Sequence, residues 1–313
     1  MQKTFLGIDT SNYRTSVALV DEKGAIIYNH RELLSVPEGK RGLRQSEAFF
    51  QHVQKLPDAL KYPLQEYRDT ISAIGVSTRP RPREGSYMPC FTAGYRAAEE
   101  LSYALGVPLV ETSHQEGHVK AVSYYSELRN SDDMIFYHFS GGTTEAIYDG
   151  DIVGGTDDIS YGQVLDRVGV KLGYSFPSGE YLDRIALGFD GPSSDLLTPI
   201  KVKDGHLNLS GIESQASRLI TDEMIKRTDD PAPFIKELMD KLADSIISMT
   251  DQLRTKFNTR DFIFSGGVSA SAYIRMRLEK ELGSDLRLVF GSPELSGDNA
   301  AGVALITMEK YFG

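Results

Sequence analysis

Residues 5–28, FLGIDTSNYRTSVALVDEKGAIIY, and residues 134–153, MIFYHFSGGTTEAIYDGDIV, decide the fold, because each reads as three short strands joined by two turns. In the first, Phe5 to Asp9 is a strand, Thr10 to Arg14 a polar turn and Thr15 to Val20 a second strand; Lys23-Gly24 then turns the chain into a third at Ala25 to Tyr28. The second stretch repeats this about 130 residues later. There Met134 to Phe139 is the strand, Ser140 to Thr143 the turn and Thr144 to Tyr148 the next strand, with Asp149-Gly150 leading into Ile152-Val153.

Working outward, each meander is followed by helix, strand, helix and strand. In the first half these are Ser46 to Leu60, Ile71 to Ser77, Thr92 to Leu105 and Val107 to Val110; in the second they are Pro233 to Phe257, Asp261 to Ser265, Ser269 to Leu282 and Leu286 to Phe290. The long helix is the firmest, since Phe234, Leu238, Leu242, Ile246, Met249, Leu253 and Phe257 recur every three or four residues. The plan is that of the actin, sugar kinase and Hsp70 superfamily, an α/β fold of two duplicated lobes with a nucleotide cleft between them. Residues 1–130 would form the first lobe and 131–313 the second, with the segment from about 296 returning to the cleft. In such folds small turns approach phosphates through backbone amides. Here they are Thr10-Ser11, Ser140-Gly141-Gly142 and Ser265-Gly266-Gly267.

A second signal sits at Ser113-His-Gln-Glu-Gly-His118. Ser113 with Glu116 three residues on is a capping box, so a helix starts at His114 and brings His114 and His118 onto one face. Two imidazoles one turn apart can hold a divalent cation if a third ligand arrives from elsewhere. Glu116 lies roughly 200° around the helix from His114, so the zinc-protease arrangement is absent. A solvated or core histidine pair is the plain alternative. The preceding Val107 to Val110 strand favours a site, because ligands collect at the carboxyl ends of strands in open α/β sheets.

Composition sets the outer limits. With 313 residues and 40% hydrophobic content the chain reads as globular, and no apolar run approaches the roughly 20 residues of a membrane span. The single Cys90 excludes an internal disulfide and fits a reducing, cytoplasmic setting. A net charge of -10 excludes a broadly basic surface and leaves two local candidates, Arg79, Arg81 and Arg83, and Lys40, Arg41 and Arg44.

An ordered set of motifs then resembles the TsaD family, the tRNA threonylcarbamoyladenosine synthases once described as O-sialoglycoprotein endopeptidases. The set is His114-x3-His118, Phe139-Ser-Gly-Gly-Thr-Thr144, Thr156-Asp-Asp158, Gly162-x3-Asp166, Pro177-x-Gly179, Asp183, Ser265-Gly-Gly-Val268 and Gly297-Asp298-Asn299, and it runs nearly end to end. The resemblance implies a metal, iron or zinc, on His114, His118 and Asp298. It implies an adenine nucleotide, threonylcarbamoyl-AMP, ATP or ADP, held by Phe139, Ser140, Gly141, Gly142, Thr143, Asp166, Gly179, Asp183, Gly266, Gly267 and Ser271. Asp166 and Asp183 would accept hydrogen bonds from ribose or adenine, and Asp9 and Ser11 would be the catalytic positions. The implied reaction is acyl transfer to the exocyclic amine of a tRNA adenine. Implied partners are a smaller actin-like paralogue, docked on the first-half helices, a P-loop ATPase and tRNA.

The resemblance has gaps. Where the family opens Gly-Ile-Glu-Thr-Ser-Cys-Asp-Glu-Thr, this chain has Gly7-Ile-Asp-Thr-Ser-Asn-Tyr-Arg-Thr15, so Tyr13 and Arg14 replace an acidic pair. The family's Gly-Pro-Gly-Leu becomes Arg79-Pro-Arg-Pro-Arg-Glu84, and its Phe-Ser-Gly-Leu-Lys becomes Leu209-Ser-Gly-Ile-Glu213. These departures keep three alternatives open: a non-catalytic nucleotide-binding paralogue acting through a partner, a carbamoyltransferase with another acceptor, and a hydrolase.

Overall fold

The computed structural model describes residues 2–11, 13–36, 43–131, 133–221, 230–297 and 300–313. The chain divides into two compact units, Met1–Arg129 with Glu294–Gly313, and Asn130–Pro293.

In the first unit, β1 (Thr4–Ser11), β2 (Arg14–Asp21) and β3 (Ile26–Leu33) form the expected meander, followed by α1 (Gln45–Glu66), β4 (Ile71–Arg79), α2 (Phe91–Leu105), β5 (Leu109–Ser113) and α3 (His114–Ser123). The second unit carries β6 (Met134–Phe139), β7 (Thr144–Tyr148), β8 (Asp151–Thr156), α4 (Tyr161–Lys171), α5 (Gly179–Gly188), a hairpin of β9 (Val202–Lys203) and β10 (His206–Leu207), α6 (Ser210–Thr221), α7 (Ala232–Phe257), β11 (Asp261–Ser265), a 3-10 turn at Val268–Ala270, α8 (Ala272–Leu282) and β12 (Arg287–Phe290). A short α9 (Pro293–Ser296) leads to α10 (Ala301–Phe312).

Duplication is explicit in the sheets. The first has the order β3-β2-β1-β4-β5 and the second β12-β11-β6-β7-β8-β10-β9, so β6, β7, β8, β11 and β12 repeat β1, β2, β3, β4 and β5. In both, the first two pairings are antiparallel and the later strands join in parallel. The β9–β10 hairpin is an addition of the second unit, turned by Asp204 and Gly205, both at positive φ.

Alternation along β1 sorts its side chains between two cores. Leu6 and Ile8 join Leu56, Leu60, Ile74 and Val76 under α1 and α2, whereas Phe5 joins Ala304, Leu305 and Met308 of α10 on the other face. The sequence reading gave residues 131–313 to the second lobe, with the segment from about 296 returning to the cleft; by contact, Glu294–Gly313 groups with the first unit. Ala301 to Met308 are all buried, and α10 packs against α3, β1 and β4. Its approach is close: a Cβ at Gly7 would lie 2.5 Å from the Ala300 oxygen, and one at Gly302 would overlap the carbonyl of Gly117 in α3.

Other elements differ from expectation at their ends or were not foreseen. α1 continues through Pro57 and Pro63 to Glu66, because burial of Leu56, Ala59, Leu60 and Pro63 outweighs the weak local propensity. α4 opens on a Ser160–Gln163 capping box. The Asp158 carboxylate accepts from the backbone N–H groups of Leu209 and Ser210, each at 2.9 Å, at the start of α6. Among the described residues, no helix is long and apolar enough to cross a membrane.

Candidate metal centre and nucleotide pocket

The histidine pair stands where the sequence places it. β5 ends at Ser113, whose Oγ accepts from the Glu116 N–H at 3.2 Å while the Glu116 carboxylate accepts from the Ser113 N–H at 2.7 Å. This closed capping box starts α3 at His114. The Nε2 atoms of His114 and His118 lie 3.0 Å apart, with the rings at 83°.

Asp9 fixes what this pair can do. Its side chain, fully buried at the end of β1, puts its two oxygens 3.0 and 3.1 Å from His114 Nδ1 and also accepts from the Ser77 hydroxyl of β4. An ionised carboxylate only accepts, so Nδ1 carries the proton and the His114 Nε2 lone pair points at His118. A carboxylate holding the far nitrogen of an imidazole is the usual support of a metal-ligating histidine. Two imidazole nitrogens converging on one point suit a cation between them. Asp9, expected as a catalytic residue, is therefore placed as the group that orients His114. Asp298, the expected third ligand, lies outside the described residues; among those described, no group of three or more His, Cys, Asp and Glu could hold a metal. Burial, with the charge of Asp9 second, pushes the Cys90 thiol up to about 12, which makes it unreactive.

Ser11, the other expected catalytic residue, is positioned through its backbone. His52 of α1, fully buried, donates from Nε2 to the Ser11 carbonyl at 2.8 Å and accepts at Nδ1 from the Thr15 hydroxyl at 2.8 Å, clasping both ends of the β1–β2 turn. Burial lowers the affinity of this imidazole for a proton below its ordinary value of 6.5. The unfolded chain thus binds a proton near 6.5 that the folded chain refuses, so stability is complete above that pH and declines as the pH falls below it. The midpoint of urea unfolding should drop between pH 7.5 and 5.5, with a shallower drop in His52→Gln; equal slopes would contradict this clasp.

Of the two basic candidates, Lys40 and Arg41 lie outside the described residues, and Arg44 precedes α1 with its N–H donating to Glu47. Arg79 sits opposite Ser113, beside the start of the histidine helix. Tyr13 is exposed, and a Cβ on Gly297 would lie 3.5 Å from Arg14 Nη1.

In the second unit a cavity of about 470 Å³ collects six of the expected nucleotide residues: Gly141, Asp166, Gly179, Asp183, Gly267 and Ser271. Gly162, Leu165, Pro177, Glu180, Val268 and Ala270 complete its lining. Gly162, Pro177 and Val268 belong to the motifs that carried the resemblance; Leu165, Glu180 and Ala270 had no sequence signal beyond adjacency. Asp183 accepts from the Ser271 hydroxyl and from the N–H groups of Ala272 and Tyr273, so it caps α8. Asp166 accepts from the Ser178 N–H at 2.7 Å. A carboxylate has about four lone-pair directions, so both retain capacity for a ligand donor.

The remaining expected residues shape the rim or the core. Phe139 is buried among Tyr137, Tyr161 and Phe264, so its side chain is core. Gly266, at φ 96°, turns the chain after β11 directly against the Phe139 backbone, which no side chain would permit. Ser140 closes its turn by an N–H bond to the Thr143 carbonyl at 2.8 Å, with Gly142 and Thr143 in the same turn. A larger hollow of about 980 Å³ is lined by residues of β9, α7 and α8 such as Lys203, Asp251 and Arg277. Size does not make it the nucleotide site: Arg277 is already paired with Asp240 and Asp244, and none of the expected nucleotide residues lines it.

Comparison with known proteins adds to this geometry. The sequence model of the family described as TsaD, tRNA N6-adenosine threonylcarbamoyltransferase, matches residues 34–305. The tRNA N6-adenosine threonylcarbamoyltransferase of Neorickettsia sennetsu is 26% identical over 314 residues, covering 97% of this chain and 93% of that protein. Component A of (R)-2-hydroxyglutaryl-CoA dehydratase from Acidaminococcus fermentans superposes with a TM-score of 0.57 at 15% identity, covering 99% of this chain and 100% of the other. The ROK family glucokinase from Streptomyces griseus, solved with glucose and AMPPNP, gives 0.51 at 13% identity over 99% and 100% of the two chains. These structural likenesses establish the actin-like ATPase and sugar kinase fold.

Proposed function

This chain belongs to the TsaD family, and from that membership we propose that it transfers a threonylcarbamoyl group from threonylcarbamoyl-AMP to the N6 amine of a tRNA adenine. The observation that carries the reading is the convergence of His114 and His118 Nε2 at 3.0 Å, with Asp9 holding His114 from behind. In the reaction the bond between the carbamoyl carbon and the phosphate oxygen of AMP breaks, AMP leaves with the electron pair, and the amine nitrogen forms the new bond and sheds a proton.

Each unit has its own part. His114 and His118 would hold iron or zinc, with Asp298 as the third ligand, and the bound ion would supply Lewis-acid polarisation of the carbamoyl oxygen. Asp9 keeps the proton on His114 Nδ1, which leaves Nε2 available as a ligand atom. In the second unit, Gly141 and Gly267 admit the backbone close to the phosphate, and Asp166 and Asp183 accept from the ribose hydroxyls. Holding the adenylate in one pose converts much of the entropic barrier into binding. The protein works in the cytoplasm with its tRNA. A smaller actin-like subunit and a P-loop ATPase are its partners, and the exposed Phe50 and Val53, one turn apart on α1, offer an apolar face for the former.

Gly141 provides the test of the pocket. A Cβ there meets nothing within 4 Å, so Gly141→Val fills the cavity without disturbing the fold. Titration calorimetry with a non-hydrolysable threonylcarbamoyl-AMP analogue should show at least about tenfold weaker binding, about 1.4 kcal/mol, at an unchanged melting temperature. Unaltered affinity would move the adenylate out of this cavity.

A further inference from the structure

Arg79 takes no part in the chemistry described so far, yet the fold sets it beside the histidine helix. β4 ends on it after a register shift between Ser77 and Arg79, so that Arg79 pairs opposite Ser113, the residue before His114. Such irregularities re-aim a strand beside a site. Paired strands run about 4.8 Å apart, so the Arg79 backbone stands about that far from the start of α3. The chain on either side is tied to the same place. Two residues earlier the Ser77 hydroxyl donates to Asp9, which holds His114; one residue later the Pro80 carbonyl accepts from the Gln115 N–H at 3.0 Å.

The guanidinium has unused capacity. It is half-buried, and among the described residues its one hydrogen bond runs from Nη1 to the adjoining Thr78 hydroxyl at 3.3 Å, with no carboxylate paired to it. Other half-buried guanidinium groups are saturated: Arg275 donates to the Ser269 and Gly291 carbonyls, and Arg277 is paired with Asp240 and Asp244. A guanidinium carries five N–H donors and keeps its charge, so holding one partly out of water without an anion is costly. Glu116, the acid of the adjoining helix turn, is taken by Thr112 and Ser113. The N–H groups of Ser113, Gln115 and Glu116 have acceptors as well. What remains at the start of this helix is a cation suited to an anionic ligand.

The acyl group assigned to the histidine pair carries such an anion. A threonylcarbamoyl group ends in the α-carboxylate of threonine, whereas a bare carbamoyl group is neutral. We propose that Arg79 binds this carboxylate, with two parallel N–H donors to its two oxygens, and so selects acyl groups built on an amino acid over bare carbamoyl. The planar guanidinium fork matches a carboxylate in this way and fixes its orientation. The inference rests on the transferase reading and adds the residue that tells one acyl donor from another.

Its test is a cycle between residue and ligand. Two non-hydrolysable analogues of threonylcarbamoyl-AMP, one with the threonine carboxylate and one with a carboxamide in its place, are titrated by calorimetry into the metal-loaded full chain, Arg79→Ala and Arg79→Lys. The parent should prefer the carboxylate by about 10- to 100-fold, the usual worth of hydrogen bonds between charged groups. Arg79→Ala should lose that preference, and Arg79→Lys, which keeps the charge without the fork, should fall between. Each ratio compares two ligands on one variant, so a general loss of folding weakens both alike and leaves the ratio unmoved. A parent that binds the two analogues alike, or an undiminished preference in Arg79→Ala, with threonylcarbamoyl transfer intact in the parent, would overturn the carboxylate contact and leave the transferase standing. Equal weakening of both analogues by Arg79→Ala would overturn it too and give the guanidinium to the adenylate phosphate. Failure of the parent to bind either analogue would overturn both readings.

Discussion

If the proposed metal and adenylate sites hold, changing His114 and His118 together to alanine is expected to abolish iron or zinc binding and slow threonylcarbamoyl transfer by about 1000-fold or more, with adenylate binding retained. A Lewis acid at the reacting carbonyl supplies several kcal/mol, and about 4 kcal/mol corresponds to three powers of ten in rate. Asp9→Asn separates positioning from chemistry. An amide cannot serve His114 as a carboxylate does, so metal affinity should fall 10- to 100-fold, roughly what loss of such a support costs. Excess metal should then restore most of the rate. Elemental analysis of the purified variants and single-turnover transfer measure both quantities. Failure of metal to rescue Asp9→Asn would give Asp9 a direct part in the reaction.

Gly302→Ala is expected to be among the most damaging conservative changes at the described residues. A helix interior ordinarily gains about 1 kcal/mol when alanine replaces glycine. Here the new Cβ overlaps the Gly117 carbonyl, and a backbone group in a packed core cannot step aside as a flexible side chain can. Overpacking of this kind costs about 1–3 kcal/mol, and the crossing of α10 on α3 must open. Because Gly117 lies between the two histidines, the folded remainder should also bind metal more weakly. Gly211→Ala on α6, where a Cβ meets nothing within 4 Å, is the matched control and should be neutral or stabilising in a thermal melt. Similar melts for the two variants would show that the close crossing does not limit stability.

The repeated meander was readable because strand, turn and strand are local, and the two sheets pair their strands in the same order. The start of α3 was readable for the same reason: Ser113 and Glu116 are three residues apart and satisfy each other. Three things were not. The first two turns of α10, Ala301 to Met308, are buried all round, so they show no amphipathic period, and its place in the first unit depends on glycine contacts far away in sequence. Asp9 meets His114 across 105 positions, and neither residue carries a local mark of that bond. In the pocket, the glycines and aspartates came from matched motifs, while Leu165 and Ala270 line it only because α4 and the turn after β11 bring them there. Phe139 shows the converse: its motif position is right beside the phosphate turn, but its ring belongs to the core.

The most direct measurement supplies the purified, metal-loaded protein with threonylcarbamoyl-AMP and an unmodified tRNA transcript, then digests the RNA and identifies its nucleosides by mass spectrometry. The expected result is threonylcarbamoyladenosine, formed with release of AMP and lost when His114 and His118 are alanine. Unmodified adenosine throughout, from a protein that binds both the adenylate and the RNA, would contradict the assignment of this chain as a tRNA threonylcarbamoyltransferase.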